Sequence, residues 1–124
     1  MSDLMALTEK NEKELSDFPY ELKLLVKGLG HDIRQKIIMS LYFKEKLTFT
    51  EIVETTGVSR SLLPHHLNML SQYIFVKHFY EKIIGDPRYS YYGLTIPGRM
   101  MIENLFAVLG IDLKELKKVE QDQT

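Results

Sequence analysis

Apolar residues recur at three- and four-residue intervals along most of the chain and read as strand-like in one region alone. That pattern predicts a mainly helical α+β domain with a single β-hairpin. Beyond Met1, residues 1–15 hold large apolar side chains only at Leu4, Met5, Leu7 and Leu15, and read as a flexible or weakly helical segment that orders against a partner. Ser16-Asp17-Phe18-Pro19 then opens a helix, with polar caps followed by a proline whose missing N–H costs nothing in a first turn. Leu22, Leu25, Val26 and Leu29 form its stripe, and Gly28 with Gly30 predicts its end. Asp32 is placed to cap a second helix carrying Ile33, Ile37, Ile38 and Leu41, with Tyr42 and Phe43 at its close.

The run from Leu47 to Leu70 says most. Thr48 and Glu51 stand three apart, the spacing of a capping box in which each side chain satisfies the other's backbone N–H. Ile52 and Val53 face inward, and Gly57 breaks the helix with a residue suited to left-handed backbone angles. Ser59 or Ser61 caps the next helix, whose apolar face is Leu62, Leu63, Leu67 and Leu70. With Ser59 as cap, Pro64 falls fifth in the helix and kinks it. With Ser61 as cap it falls third, where its N–H has no partner anyway. The second register is favoured, and it exposes Arg60 and Ser61 at the helix start. Two capped helices joined by a short turn containing glycine are the sequence form of a helix-turn-helix.

After Tyr73 the periodicity changes. Phe75 to Ile84 and Tyr89 to Leu94 are rich in β-branched and aromatic residues, and the turn formers Gly85-Asp86-Pro87-Arg88 lie between them. Thr95 caps a last long helix with Pro97 in its first turn and Ile102, Leu105, Phe106 and Leu109 as its stripe. Gly110 interrupts, and Asp112 with Glu115 recaps a short amphipathic turn carrying Leu113, Leu116 and Val119. One domain over 16–119 is expected, between the flexible or weakly helical segment 1–15 and a polar tail at 120–124.

Composition narrows the chemistry. At 124 residues there is room for one core, and the absence of cysteine excludes disulfides, thiolate metal sites and a cysteine nucleophile. No apolar run approaches the roughly 18 residues of a membrane span, and charges at Asp3, Glu9, Lys10 and Glu12 break up any signal-peptide core. A cytoplasmic protein is the expectation. The net charge is −1, yet residues 59–99 hold five cations (Arg60, Lys77, Lys82, Arg88, Arg99) against two anions (Glu81, Asp86) and three of the four histidines. A positive stretch between acidic flanks is what a chain touching phosphate with one face needs.

Three segments carry a family resemblance. Leu29-Gly30-His31-Asp32-Ile33-Arg34-Gln35-Lys36-Ile37-Ile38 is similar to an opening L-x-D-x-x-R-x-x-I-L helix. Thr50 to Ser59, with Ser61-Leu62-Leu63-Pro64-His65-His66-Leu67-Asn68-Met69-Leu70, is similar to an ELAEATGLS…S-x-x-x-HHLxxL element. Arg88 to Gly98 is similar to an R-x-x-x-Y-x-L-T-x-x-G wing end. In this order, over residues 29–98, they resemble the winged helix-turn-helix regulators of the ArsR/MarR superfamily, of the small archaeal and bacterial single-domain type. The resemblance implies a three-helix core plus wing, with N- and C-terminal helices added for dimerisation. The chain departs from it in lacking the cysteine pairs of metal-sensing members, and in carrying Pro64 where serine or arginine is usual.

The expectations follow. No catalytic motif is present, neither Gly-x-Ser-x-Gly, His-Glu-x-x-His, P-loop nor Gly-x-Gly-x-x-Gly, so no enzyme is expected and no cofactor. Neighbouring helical residues such as His65 and His66 point about 100° apart and chelate poorly, so no metal is expected. Double-stranded DNA is the expected partner, contacted by Ser59, Arg60, Ser61, His65, His66 and Asn68 on the recognition helix and by Lys82, Arg88 and Tyr89 on the wing. Phe79, Tyr91 and Tyr92 read as core. So few cations per subunit argue for a homodimer spanning half-sites about 34 Å apart. Its interface is expected from Leu22, Leu25, Val26, Leu29, Ile102, Leu105, Phe106, Leu109, Leu113 and Leu116. The function expected is sequence-specific transcriptional regulation, most simply repression. A chromatin-like architectural protein, or a protein-interaction module without DNA binding, is the alternative. A further reading is small-molecule effector sensing in an apolar pocket between the wing and the dimer helices, for which the sequence names no ligand.

Overall fold

The computed structural model of the chain describes residues 17–116. The N-terminal segment, the Ser16 cap, Val119 and the polar tail lie outside the described residues. Helix α1 (Tyr20–Leu29) follows Pro19, which stands at its N-cap rather than within its first turn. The Asp17 carboxylate accepts the Phe18 N–H at 2.9 Å and pairs with Lys23 Nζ at 2.5 Å. Gly28 does not end α1. It is helical and buried, and the helix stops at Gly30.

Helix α2 (Asp32–Lys44) is capped by His31, not by Asp32: the His31 Nδ1 accepts the Ile33 N–H at 3.1 Å. Asp32 lies instead in the first turn, where its charge complements the helix dipole. The next residues of α2 finish α1. Arg34 Nη2 donates to the Lys27 carbonyl at 3.0 Å and Gln35 Nε2 to the Leu29 carbonyl at 2.6 Å, satisfying groups a helix end leaves without partners.

A two-residue strand, β1 (Lys46–Leu47), precedes α3 (Phe49–Thr56). The capping box forms as the spacing requires: Glu51 N–H donates to Thr48 Oγ1 at 3.2 Å, and Thr48 N–H to Glu51 Oε1 at 3.0 Å. Gly57 ends α3 at φ 73°. Helix α4 (Leu63–Gln72) has Leu62 at its N-cap and Pro64 in second position. Ser61 is therefore not the cap. Ser59 organises the approach, its hydroxyl accepting the Leu62 N–H at 3.2 Å and its carbonyl the Leu63 N–H at 3.0 Å. The regular helix still starts late enough for Pro64 to lose no bond. Leu62, counted with the apolar face, is exposed instead.

α4 ends in a Schellman motif, with Phe75 N–H donating to the Leu70 carbonyl and Ile74 N–H to that of Ser71. Ile74 takes the left-handed position at φ 65°, where glycine is usual. Strands β2 (Val76–Tyr80) and β3 (Ser90–Leu94) form the hairpin, pairing His78 with Tyr92 and Phe79 with Tyr91. Residues 81–84 leave the ladder, so β2 is shorter than its composition suggests. β1 joins the other edge of β3 through Lys46–Gly93 and Leu47–Tyr92, giving an antiparallel sheet ordered β1-β3-β2.

Thr95 caps α5 (Ile96–Val108) by accepting the Gly98 N–H at 3.0 Å, and its own hydroxyl donates to the Ile74 carbonyl. Residues 113–116 are helical after Asp112, whose carboxylate accepts the Lys114 N–H at 2.9 Å. The fully buried centre is Phe75, Ile37, Ile38, Leu41, Ile52, Leu63 and Leu70, each worth about 1.5–3 kcal/mol of burial. It draws on α2, α3, α4 and the start of the hairpin, and so fixes α4 relative to the wing. No helix among the described residues is long and apolar enough to cross a membrane.

Candidate nucleic-acid interface

Helix α4 has two faces. Leu63, His66, Leu67 and Leu70 are buried, while Pro64, His65, Asn68 and Ser71 are exposed. Pro64, Asn68 and Ser71 stand at i, i+4 and i+7 with His65 beside them, so the exposed set forms a single stripe. Ser59, Arg60 and Ser61 are exposed just ahead of it. Arg60 is held rather than loose: its Nη2 donates to Thr50 Oγ1 at 3.2 Å and its guanidinium lies 5.8 Å from the Phe49 ring centre. The first turn of α3 thus aims the cation at the head of α4.

His66 corrects an expectation. It is only 6% exposed, lies against the His31 ring (centroids 5.0 Å apart) and the His65 ring (5.4 Å), and cannot reach a nucleic acid. Its Nδ1 is buried without a hydrogen-bond partner. Burial, reinforced by His31, His65 and Arg34, pushes its pKa down and keeps the ring neutral. Adjacent positions on one helix therefore do opposite things, with His65 facing solvent and His66 the core.

The wing stands against the same turn of α3. Arg88 places its guanidinium on the Asp86 carboxylate (Nη2–Oδ2 2.7 Å, Nε–Oδ1 3.0 Å) and reaches Glu51 Oε1 at 3.2 Å. Asp86 responds with a carboxyl held at about 2 by that hydrogen bonding. Glu51, the capping-box residue, therefore also tethers the wing. Lys82 is exposed and takes part in none of the ion pairs among the described residues. Tyr89 is 59% exposed and stacks on Tyr80 at 5.9 Å. Of the three aromatics expected in the core only Tyr92 packs against it. Buried Tyr91 and half-buried Phe79 stand outside the core cluster and stack on each other at 5.9 Å. Alternation along β3 sends Tyr91 to the other face of the sheet. Between wing and α4, a groove is lined by Phe49, Pro64, Asn68, Ser71, His78 and Tyr92. His78 stacks on Tyr92 at 4.4 Å and lies 2.7 Å from Ser90 Oγ.

Arg60, the α4 stripe and the wing thus converge on Phe49-Thr50-Glu51. A helix with an exposed stripe beside a basic hairpin, over a three-helix core, is the winged helix-turn-helix. Residues 31–73 match the family described as bacterial regulatory protein, arsR family. The fold is that of a winged helix-turn-helix, and the family match spans its helical part. The fold recurs in solved structures. Reduced HlyU from Vibrio cholerae N16961 is 22% identical, covers 82% of this chain and 96% of its own, and superposes with TM-score 0.59. NolR from Sinorhizobium fredii is 21% identical over 84% of this chain and 94% of its own, at TM-score 0.59. The transcriptional repressor BigR from Xylella fastidiosa is 20% identical over 84% and 96%, at TM-score 0.57. No curated protein sequence matches.

Phe49, Thr50 and Glu51 hold Arg60 and Arg88 in place, contacts that sequence reasoning missed. Of the three, the capping box pointed to Glu51 alone. Of the residues expected at a dimer interface, Ile102 (3% exposed) and Leu113 (5%) belong instead to the core of the subunit. Leu22, Leu25, Leu29 and Phe106 are half-buried. Val26, Leu105, Leu109 and Leu116 are exposed, joined by Met100 and Val108, which the periodicity had not picked out. No group of three or more His, Asp or Glu among the described residues is arranged to hold a metal ion.

Proposed function

We propose that the chain is a sequence-specific DNA-binding transcriptional regulator that works as a homodimer, repressing by occupying its site. The observation carrying the reading is the convergence of Arg60, the exposed stripe of α4 and the wing on the first turn of α3. Arg60 and His65 meet base edges or phosphate in the major groove, with Ser59, Ser61 and Asn68 as short polar partners. Lys82 and Tyr89 follow the adjacent backbone, joined by Arg88 once phosphate displaces its carboxylates.

Dimerisation is supported by apolar surface that one subunit leaves open. Leu109 is 76% and Val108 81% exposed on α5. Beside them a cleft of about 320 Å³ is lined by Leu29, Gln35, Ile38, Met39, Leu105 and Phe106. A second copy covers this face, and the cleft is within the size range of small-ligand sites, so an apolar effector enters there.

The test is selection of duplexes from a randomised pool at two salt concentrations. A regulator yields an inverted repeat and loses about 1–3 kcal/mol of affinity on Arg60→Ala. Weak binding to all sequences alike supports the architectural alternative, and no binding at all leaves the protein-interaction reading.

A further inference from the structure

We infer that Ile84, at the apex of the wing, is an apolar wedge that enters the minor groove between two base pairs and bends the duplex. This rests on the DNA-binding reading above and assigns the wing tip a task beyond phosphate contact.

Ile84 is fully exposed, and it is the centre of an apolar tip with Ile83 (39%), Tyr80 (68%) and Tyr89 (59%). The tip is a built turn. Asp86 N–H donates to the Ile83 carbonyl at 3.0 Å, and Gly85 takes φ 83°, so Ile84 and Gly85 are the two central residues of a tight turn. The chain beyond it is braced: the Asp86 carboxylate accepts both the Arg88 N–H at 2.9 Å and the Arg88 guanidinium, which also grips Glu51. Among the described residues Ile84 packs on no core side chain. A β-branched apolar residue on a rigid, outward-pointing turn is the shape proteins use to unstack a base step.

Charge selects the partner. Both carboxylates of the tip are neutralised, Glu81 by Lys46 at 3.1 Å and Asp86 by Arg88 at 2.7 Å. Lys82 is left as the cation beside the apex, so a polyanion can approach the tip although its formal charges balance. The tip also continues the interface already described, because Arg88 and Arg60 are anchored on neighbouring residues of α3, Glu51 and Thr50. A minor groove flanking the major groove read by α4 is therefore the surface it meets. The flexible pyrimidine–purine steps are the ones such a wedge opens with least cost.

The experiment uses the full chain and duplexes it selects from a randomised pool, with 2-aminopurine placed at successive positions flanking the core site. The inference expects a rise in 2-aminopurine fluorescence at one step per half-site and a bend between about 20 and 90° by end-to-end energy transfer. Ile84→Ala abolishes both in complexes that still form, whereas Ile84→Leu keeps them. Ile84 is solvent-exposed, so circular dichroism of each variant should match the parent. Binding with straight DNA and no unstacking, or a bend that survives Ile84→Ala, overturns the wedge while leaving the DNA reading standing. Should Ile84→Ala dissolve the dimer without touching the bend, the tip is a subunit contact and the inference fails. Failure to select any duplex sinks the DNA reading and this inference together.

Discussion

Gly28 of α1 rests on the ring of Phe75, so closely that a Cβ would lie 2.6 Å from its Cδ2 and 3.0 Å from its Cε2. Gly98 of α5 closes on the same residue from elsewhere, its would-be Cβ 2.8 Å from the Phe75 carbonyl oxygen. Phe75, itself without solvent exposure, is thus clamped between two helices by the absence of side chains. Alanine at position 28 gains up to about 1 kcal/mol of helix propensity, but the ring it strikes is fully enclosed and has nowhere to swing. Gly28→Ala is expected to destabilise by about 1–3 kcal/mol, read as a lower urea midpoint at unchanged slope.

His66 gives the protein an acid-sensitive edge. Its pKa is lowered in the folded state, mainly by burial, so the unfolded chain binds a proton more readily than the native one. Its contribution to stability is therefore complete above the ordinary histidine range near 6.5, declines as pH falls through it, and levels off below the folded value. His31, His65 and Arg34 face the ring and all oppose its charging. Thermal melts between pH 8 and 5 should show a falling Tm, and His66→Phe should flatten that slope if the variant folds. A parent Tm that does not move between pH 7 and 5 contradicts the assignment.

Glu51 competes with phosphate for Arg88. Glu51→Gln keeps an acceptor for the Thr48 N–H, so the capping box survives, and loss of a half-exposed ion pair costs under about 1 kcal/mol. With one carboxylate gone, Arg88 is freer to meet the duplex. The plot of log affinity against log salt should steepen by about one unit, and affinity at low salt should rise. An unchanged slope would mean that Arg88 stays with Asp86 when DNA is bound.

Leu109 projects from the end of α5 with three quarters of its surface in solvent, so Leu109→Glu should fold as the parent does. Placed in a two-fold apolar interface, the new charge appears twice and unpaired. Light scattering should then report half the parent mass, and duplex affinity should drop. A parent already at 14.5 kDa in solution removes the dimer from the proposal.

Much of this architecture is legible in single residues. Thr48 with Glu51, Gly57 and Thr95 mark their helix ends because capping is local chemistry, decided by neighbours three residues apart. The hairpin shows through its β-branched and aromatic runs. What stays hidden depends on contacts distant in sequence. β1 is two residues long and has no alternation to detect. The end of α4 carries Ile74 where a glycine would have announced a left-handed turn. His65 and His66 are the same residue type on adjacent positions, and only the packing of α2 against α4 decides which is buried. Ile102 and Leu113 share the period of Leu105 and Leu109, and periodicity cannot say whether an apolar face meets its own subunit or another. Nor does anything local tell that Arg88 will find Glu51.

The short strand Lys46–Leu47 has a mechanical meaning. By hydrogen bonding to β3 it makes that strand the middle of the sheet, and the carbonyl of Glu45 fills the space above Gly93 to 3.1 Å from where a Cβ would be. The lower half of the hairpin is thereby riveted to the segment that leads into α3, and the part beyond Tyr80 and Ser90 is held by the ion pairs Lys46–Glu81 and Glu51–Arg88. Wing and recognition helix are thus both footed on the short stretch from Lys46 to Glu51, the wing through β1 and Glu51 and the head of the helix through Thr50.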